Sequence, residues 1–294
     1  MPFITVNDTE LFYELSGEGS VPLVLVHGSW GDHTNWNPVV GELARSFRVL
    51  RYDRRGHSQS ARPKTQGSLH EDAADLAALL EALDLAPAHV VGNSGGAAVG
   101  LWLAAERPET LRSLAAHEPP LFGLLAEEAA YGAALRAVDE RMTNIFRLLR
   151  DGDFRNAARH FVDTIALGPG AWDRLSAARQ ETWVNNAPTF LDELQDPKIA
   201  IVDLEALARF DRPTLLTRGE HSPPFFPAVV SRLAKAMPAA EEMVFAGAAH
   251  LPHVSHSVEF VATISSFVQR YETKDLPSLT GNQPGTAGPS LRSG

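Results

Sequence analysis

The run Val90-Val91-Gly92-Asn93-Ser94-Gly95-Gly96-Ala97-Ala98 constrains this chain more than any other stretch. An apolar segment enters Gly-x-Ser-x-Gly and a small-residue helical pattern leaves it, which reads as a strand turning abruptly into a helix. So tight a turn forces Ser94 into strained backbone geometry. Gly92 and Gly96 are needed because a Cβ at either would collide with neighbouring backbone. The serine is lifted above the sheet edge, and the Gly95 amide points at whatever binds there. An ordinary Gly-rich turn is the simpler alternative, but the flanking context is the one this motif requires.

The 294 residues are compatible with two domains, or with one α/β core carrying an insertion. An apolar fraction of 44% is ample for a large core. The formal charge of −10 argues against nucleic acid and anionic membrane surfaces as partners. With no cysteine there is no disulfide framework, thiol nucleophile or cysteine metal site. No N-terminal signal segment and no apolar run of membrane-spanning length is found, so a cytoplasmic location is expected.

In chain order, Phe3 to Val6 and Leu11 to Leu15 read as a hairpin turned at Asn7-Asp8. Val21 to Val26 is an unbroken apolar run ending in His27-Gly28-Ser29-Trp30, as suits a central strand covered on both faces. A short helix holds Val39 to Leu43, a strand runs from Phe47 to Tyr52, and Asp53 to Ser58 is a polar turn. Ser68-Leu69-His70-Glu71 is a capping box that opens a helix with Leu69, Leu76, Leu79, Leu80 and Leu83 on one face. After the Ser94 turn and its helix, Leu111 to Ala116 is the next strand, ending at His117-Glu118-Pro119-Pro120. This alternation predicts a mostly parallel, doubly wound sheet with active groups at the carboxyl ends of its strands.

The alternation stops at Pro119. From Leu121 to about Phe210 only amphipathic helical stretches are found, broken at Gly168-Pro169-Gly170 and Pro188. An all-helical insertion between two strands of one sheet reads as a lid over the strand ends. Alternation resumes with Pro213 to Arg218, a helix from Ala228 to Ala236, a strand at Glu242 to Phe245 and a last helix from Val258 to about Tyr271. The expected division is a core of residues 1–118 and 211–272, a helical cap of 119–210, and a Pro/Gly/Ser-rich tail of 273–294 expected to be disordered.

These pieces resemble the α/β-hydrolase superfamily from Phe3 to Tyr271. His27-Gly28 after the third strand, the Ser94 turn, and Gly247-Ala248-Ala249-His250 after the last strand stand in that family's order. The resemblance implies Ser94 as nucleophile and His250 as the base that takes its proton, since a serine hydroxyl is a weak nucleophile without one. It implies an oxyanion hole made of the Gly95 and Ser29 amides, with Trp30 the weaker alternative to Ser29. Losing one such donor typically costs about 2.7–4 kcal/mol. His27 is a loop-fixing residue in that family.

The departure lies in the acid. Most members of the superfamily place an aspartate three residues after the glycine that here is Gly219, where this chain reads Gly219-Glu220-His221-Ser222. Serine cannot supply the anion that orients an imidazole. Glu118, after the strand that follows the nucleophile helix, occupies the position that supplies the acid in other branches, including many haloalkane dehalogenases. Its setting, His117-Glu118-x-Pro together with His250-x-Pro-x-Val-Ser-His256, is similar to the zearalenone lactonase type of enzyme. Glu118 is therefore the expected acid and Glu220 the alternative. His57 and Ser58 replace small residues after Arg-Gly, with no functional account available from the sequence.

The reaction this implies is hydrolysis of a carboxylic ester or lactone of a hydrophobic small molecule through an acyl-enzyme. The alternatives are a C–C bond hydrolase, perhydrolase or acyltransferase of the same fold, or a hydrolase-fold binding protein with little turnover. No cofactor is implied. A metal site at the evenly spaced His250, His253 and His256 is disfavoured by Pro252, which argues against one helix presenting all three. The oligomeric state is not legible.

Overall fold

The computed structural model describes residues 2–62 and 67–272. The expectation of a disordered tail over 273–294 lies outside the described residues.

Eight strands form one sheet in the order β1-β2-β4-β3-β5-β6-β7-β8: Phe3–Val6, Thr9–Ser16, Pro22–Val26, Arg48–Tyr52, Ala88–Asn93, Leu111–His117, Thr214–Gly219 and Ala240–Phe245. β1 pairs antiparallel with β2, and β2 with β4; every other pairing is parallel. The first hairpin turns at Asn7 and Asp8, both at positive φ, a conformation that Asn and Asp tolerate better than other side chains. Pro22–Val26 and Ala88–Asn93 are buried at every position, because helices cover both faces.

Ten α-helices accompany the sheet among the described residues: α1 Asn37–Leu43, α2 Leu69–Ala82, α3 Gly95–Glu106, α4 Gly132–Arg150, α5 Phe154–Phe161, α6 Ala177–Gln195, α7 Leu204–Ala208, α8 Phe225–Ala236, α9 Pro252–Ser255 and α10 Ser257–Glu272. The Ser68 hydroxyl accepts the Glu71 amide at 3.2 Å and caps α2, as the sequence predicts. One apolar cluster joins α2, α3 and the insertion to the sheet, and Trp36, Phe245, Phe260 and Phe267 lie in a second.

Between β6 and β7 the described chain contains helices and turns and no strand. One segment of this insertion, Val162–Ala166, is a π-helix continuing α5. Single π turns occur mostly inside α-helices and often at functional sites. α6 carries Pro188 within it and still runs for 19 residues.

The turn from β5 to α3 depends on two missing side chains. A Cβ on Gly96 would stand 2.6 Å from the His27 carbonyl oxygen and closer still to that of Val26. One on Gly92 would lie 2.6 Å from the Ala97 nitrogen and nearer to the Gly96 carbonyl oxygen. All four obstacles are backbone, which has nowhere to go. Gly96→Ala is therefore expected to destabilise the protein by roughly 1–3 kcal/mol or more. Gly41→Ala, exposed in α1 with nothing within 4 Å of the new methyl, is expected to gain about 0.5–1 kcal/mol. Urea denaturation of both variants checks the pair, and equal effects would refute the steric account.

Candidate active site

Ser94 stands between β5 and α3 with φ 54° and ψ −122°, a left-handed conformation in a non-glycine residue. Such geometry costs on the order of 1–3 kcal/mol and persists only where its surroundings impose it. Here the Ser94 amide donates to the His117 carbonyl at 2.9 Å. The next residue, Gly95, begins α3, so its amide is one of the four that a helix start leaves without an internal partner.

Glu118, the residue after β6, also has positive φ, 49°. Its amide donates to Thr217 O at 3.1 Å, which ties it to β7. The side chain is fully buried and both carboxylate oxygens are used. Oε1 accepts the Gly219 amide at 2.7 Å, and Oε2 lies 2.6 Å from His250 Nδ1. Burial works against its charge, yet the hydrogen bond and charge of His250, with His117 adding to them, hold the Glu118 carboxyl down at about 2. The Ser222 hydroxyl, at the position that the resemblance reserves for the acid, is buried and makes no hydrogen bond among the described residues. Glu220 faces elsewhere: its Oε2 accepts the Gly247 amide at 2.7 Å on the exposed side of the loop.

His250 is held from three directions. Glu118 takes Nδ1, Asn93 Nδ2 donates to the His250 carbonyl at 3.0 Å, and the Phe226 ring stacks on the imidazole at 4.6 Å and 20°. With Nδ1–H committed to Glu118, Nε2 is left as the acceptor, the tautomer that a general base needs. His117 packs beside this pair, with Nδ1 2.9 Å from Thr217 Oγ1. Burial first, then the charge of His250, pushes His117 down to about 4, so it stays neutral. His253 is buried against Trp36, ring centroids 4.5 Å apart, with neither ring nitrogen hydrogen-bonded. Burial holds it well below the usual imidazole range. Among the described residues, His250, His253 and His256 are not brought together as ligands, whereas His117, Glu118 and His250 do converge.

Ser29 follows His27-Gly28 at the end of β3. The Ser29 nitrogen would lie 3.0 Å from a Cβ on Gly95, so the two amides are neighbours. Trp30 is fully buried, with its indole against Phe161, Trp183 and Phe190. His27 Nδ1 donates to the Gly28 carbonyl at 2.8 Å and Nε2 accepts the Arg54 amide at 3.0 Å, which makes it a brace for the loop. Burial, then the Arg54 charge, lowers His27 to about 4.

Ser94, His250 and Ser29 all open into one cavity of about 620 Å³. Its walls are apolar for the most part: Phe122, Leu135 and Met142 on one side, and Ile165, Phe190 and Phe226 among the rest. Arg136 and Asp139, both exposed, stand at its rim.

Residues 21–257 match the family model of the alpha/beta hydrolase fold. The chain belongs to that family. Among curated relatives of this hydrolase-fold chain, the dihydrolipoyllysine-residue acetyltransferase component of the acetoin cleaving system from Pseudomonas putida is 45% identical over 103 residues, 35% of this chain and 28% of that one. The pyrrolizixenacetamide deacetylase of Xenorhabdus hominickii is 25% identical over 285 residues, covering 93% of this chain and 99% of its own. In three of the curated relatives the aligned stretch spans only 28%, 43% and 51% of the relative's length. The solved structure of Est816, described as an N-acyl homoserine lactone degrading enzyme, superposes with a TM-score of 0.69 at 23% identity, over 90% of this chain and 100% of that one. Among the described residues no helix is long and apolar enough to cross a membrane.

The lowered Glu118 carboxyl has a measurable sign. A carboxyl that binds its proton less readily when folded adds stability above the unfolded value near 4.5 and loses it as pH falls toward about 2. The stability gap between the wild-type protein and Glu118→Gln, read by urea denaturation, is therefore expected to close across that window. A gap that stays constant would overturn the assignment.

Proposed function

We propose that this chain is a serine hydrolase that cleaves a carboxylic ester or lactone of a largely apolar small molecule through an acyl-enzyme on Ser94. The observation that carries the reading is the buried Glu118–His250 hydrogen bond of 2.6 Å, made by an imidazole that lines the same cavity as Ser94.

His250 Nε2 takes the Ser94 proton as Oγ attacks the substrate carbonyl carbon, and Glu118 stabilises the imidazolium that forms. The carbonyl oxygen gains the electron pair and is met by the Gly95 and Ser29 amides. Collapse of this intermediate expels the alkoxide, which receives the proton from His250. Water then repeats the sequence on the acyl-enzyme, giving the acid and restoring Ser94.

A cavity of about 620 Å³ suits a medium-sized molecule, and its apolar walls favour an acyl or alcohol part without charge. The helices between β6 and β7 supply most of that wall and act as the lid. Est816, of the same fold, is described as an N-acyl homoserine lactone degrading enzyme, which supports a small-molecule substrate here.

A serine-directed fluorophosphonate is expected to add one group, mapped to Ser94. A panel of aryl esters, aliphatic lactones and macrocyclic lactones, with Ser94→Ala as blank, then identifies the bond. Labelling elsewhere, or full ester hydrolysis by Ser94→Ala, would refute the reading. Glu118→Gln is expected to lower turnover by roughly 10⁴-fold, as loss of a triad acid does elsewhere. Glu220→Gln should cost far less, and the reverse order would pass the role to Glu220.

A further inference from the structure

We propose that Glu193, on α6 of the helical insertion, is a positioning residue for the oxyanion hole, acting on the Ser29 amide through the Ser29 hydroxyl. The proposal rests on the reading of Ser94 as nucleophile and of Ser29 as an oxyanion donor.

Glu193 is 1% exposed and its two oxygens are divided between two tasks. Oε2 accepts the Ser29 hydroxyl at 2.6 Å, and Oε1 accepts Arg54 Nη2 at 2.9 Å. Arg54 is itself fully buried and its other terminal nitrogen already pairs with Asp72. One carboxylate would have neutralised that guanidinium. The second adds a further carboxylate to a region already buried, where burial above all raises the Asp72 carboxyl to about 7 against the pull of Arg54, with Glu193 and Asp75 adding. Burying a further ion for packing alone gains nothing over an apolar side chain of similar size. What the charge adds is a strong acceptor for Ser29, since a bond to an ionised acceptor is roughly twice as strong as a neutral one. Arg54 holds the other oxygen of the carboxylate, which leaves Oε2 aimed at Ser29.

The loop needs such a hold. Trp30 adopts φ 71°, a costly conformation for a bulky residue, and its relaxation would carry the Ser29 peptide with it. α6 opposes that relaxation at successive positions. Asn186 Nδ2 donates to the Gly31 carbonyl at 2.8 Å and to that of Trp30 at 3.2 Å. Thr189 Oγ1 donates to Gly56 O at 2.5 Å. Glu193 completes a face at spacings of three and four residues, the period of one side of a helix. The same Asn186 accepts the Ser58 amide at 2.8 Å, which accounts for a serine at φ 43° in that turn. The insertion thus reaches the reaction through the oxyanion loop as well as through the cavity wall.

A purely structural staple would make the same contacts, so the test separates rate from stability. Glu193→Leu, Glu193→Gln, Ser29→Ala and the double variant Glu193→Leu/Ser29→Ala are made in the full chain. For each, kcat and KM are measured on an ester from the panel, with inhibition by a trifluoromethyl ketone that forms an oxyanion on Ser94, and the melting temperature. Glu193→Leu is expected to lower kcat about 10- to 100-fold, less than the 10²–10³-fold of an outright lost donor, with KM little changed and ketone affinity falling in parallel. Glu193→Gln, which keeps an oxygen acceptor for the Ser29 hydroxyl but loses the charge, should fall between Glu193→Leu and the wild-type protein in rate. In the Ser29→Ala background Glu193→Leu should cost almost nothing more, the non-additivity of two residues acting as one unit. A lower melting temperature with kcat and ketone affinity unchanged, or full additivity with Ser29→Ala, would overturn the proposal. Where Glu193→Leu does not fold, Glu193→Gln and Ser29→Ala carry the comparison: a loss of kcat in Ser29→Ala with a smaller loss in Glu193→Gln supports it, and unchanged kcat in either overturns it. Absence of fluorophosphonate label on wild-type Ser94 removes the nucleophile reading beneath it, a failure distinguished because the label, and not the rate, is what disappears.

Discussion

The close approach of β3, β5 and α3 at Gly92 and Gly96 is the constraint on which the site depends. Backbone carbonyls of Val26 and His27 sit where a side chain on Gly96 would go, so the end of β3 and the start of α3 are as close as two chains can be. That contact sets Ser94 above the sheet and makes Ser29 and Gly95 neighbours. A methyl group on Gly96 would part β3 from α3, and with them the two amides, and one on Gly92 would part β5 from α3. The serine, its supports and the cavity follow from one steric fact at the middle of a parallel sheet.

Around this point charge is handled in two ways. Glu118 is buried and its carboxyl is nevertheless held low, because one oxygen accepts the Gly219 amide and the other faces His250. The neighbouring imidazoles of His117, His253, His27 and His57 are kept neutral by the same burial. Of the histidines packed beneath the cavity, His250 is the one whose Nδ1 meets a carboxylate as its other edge meets the cavity.

Much of this was legible before any coordinates. The Ser94 turn carries its own signature because two glycines and an apolar strand are needed at fixed spacing. The strands of the parallel sheet are legible because burial on both faces makes them continuously apolar. Glu118 was the acid that the resemblance to other branches implied once Ser222 was seen to carry no charge, with Glu220 left as the alternative, and its carboxylate lies 2.6 Å from His250 Nδ1. The boundary differences are small, such as α8 starting at Phe225, just after Pro224 at its N-cap, where periodicity begins at Ala228. Glu193 was not legible. Its partners Ser29 and Arg54 lie 164 and 139 residues away, and Asn186, Thr189 and Glu193 along α6 look in sequence like a solvated helix face. Ser58 was a puzzle for the same reason: the group that supports its backbone is Asn186, 128 residues distant.

The π-helical turn at Val162–Ala166 has a consequence for how this cavity varies. A π turn holds one residue more than the α-helical turn it replaces, and here two of its residues, Ile165 and Ala166, face the cavity. Each residue of an α-helix advances the direction of the next by about 100°. Deleting a single residue would restore ordinary α geometry and swing Ile165 and Ala166 away by about that angle, bringing other side chains to the wall. The enclosure around Ser94 can therefore be re-shaped in one genetic step, with the sheet, the Glu118–His250 pair and the Ser29 loop left where they are.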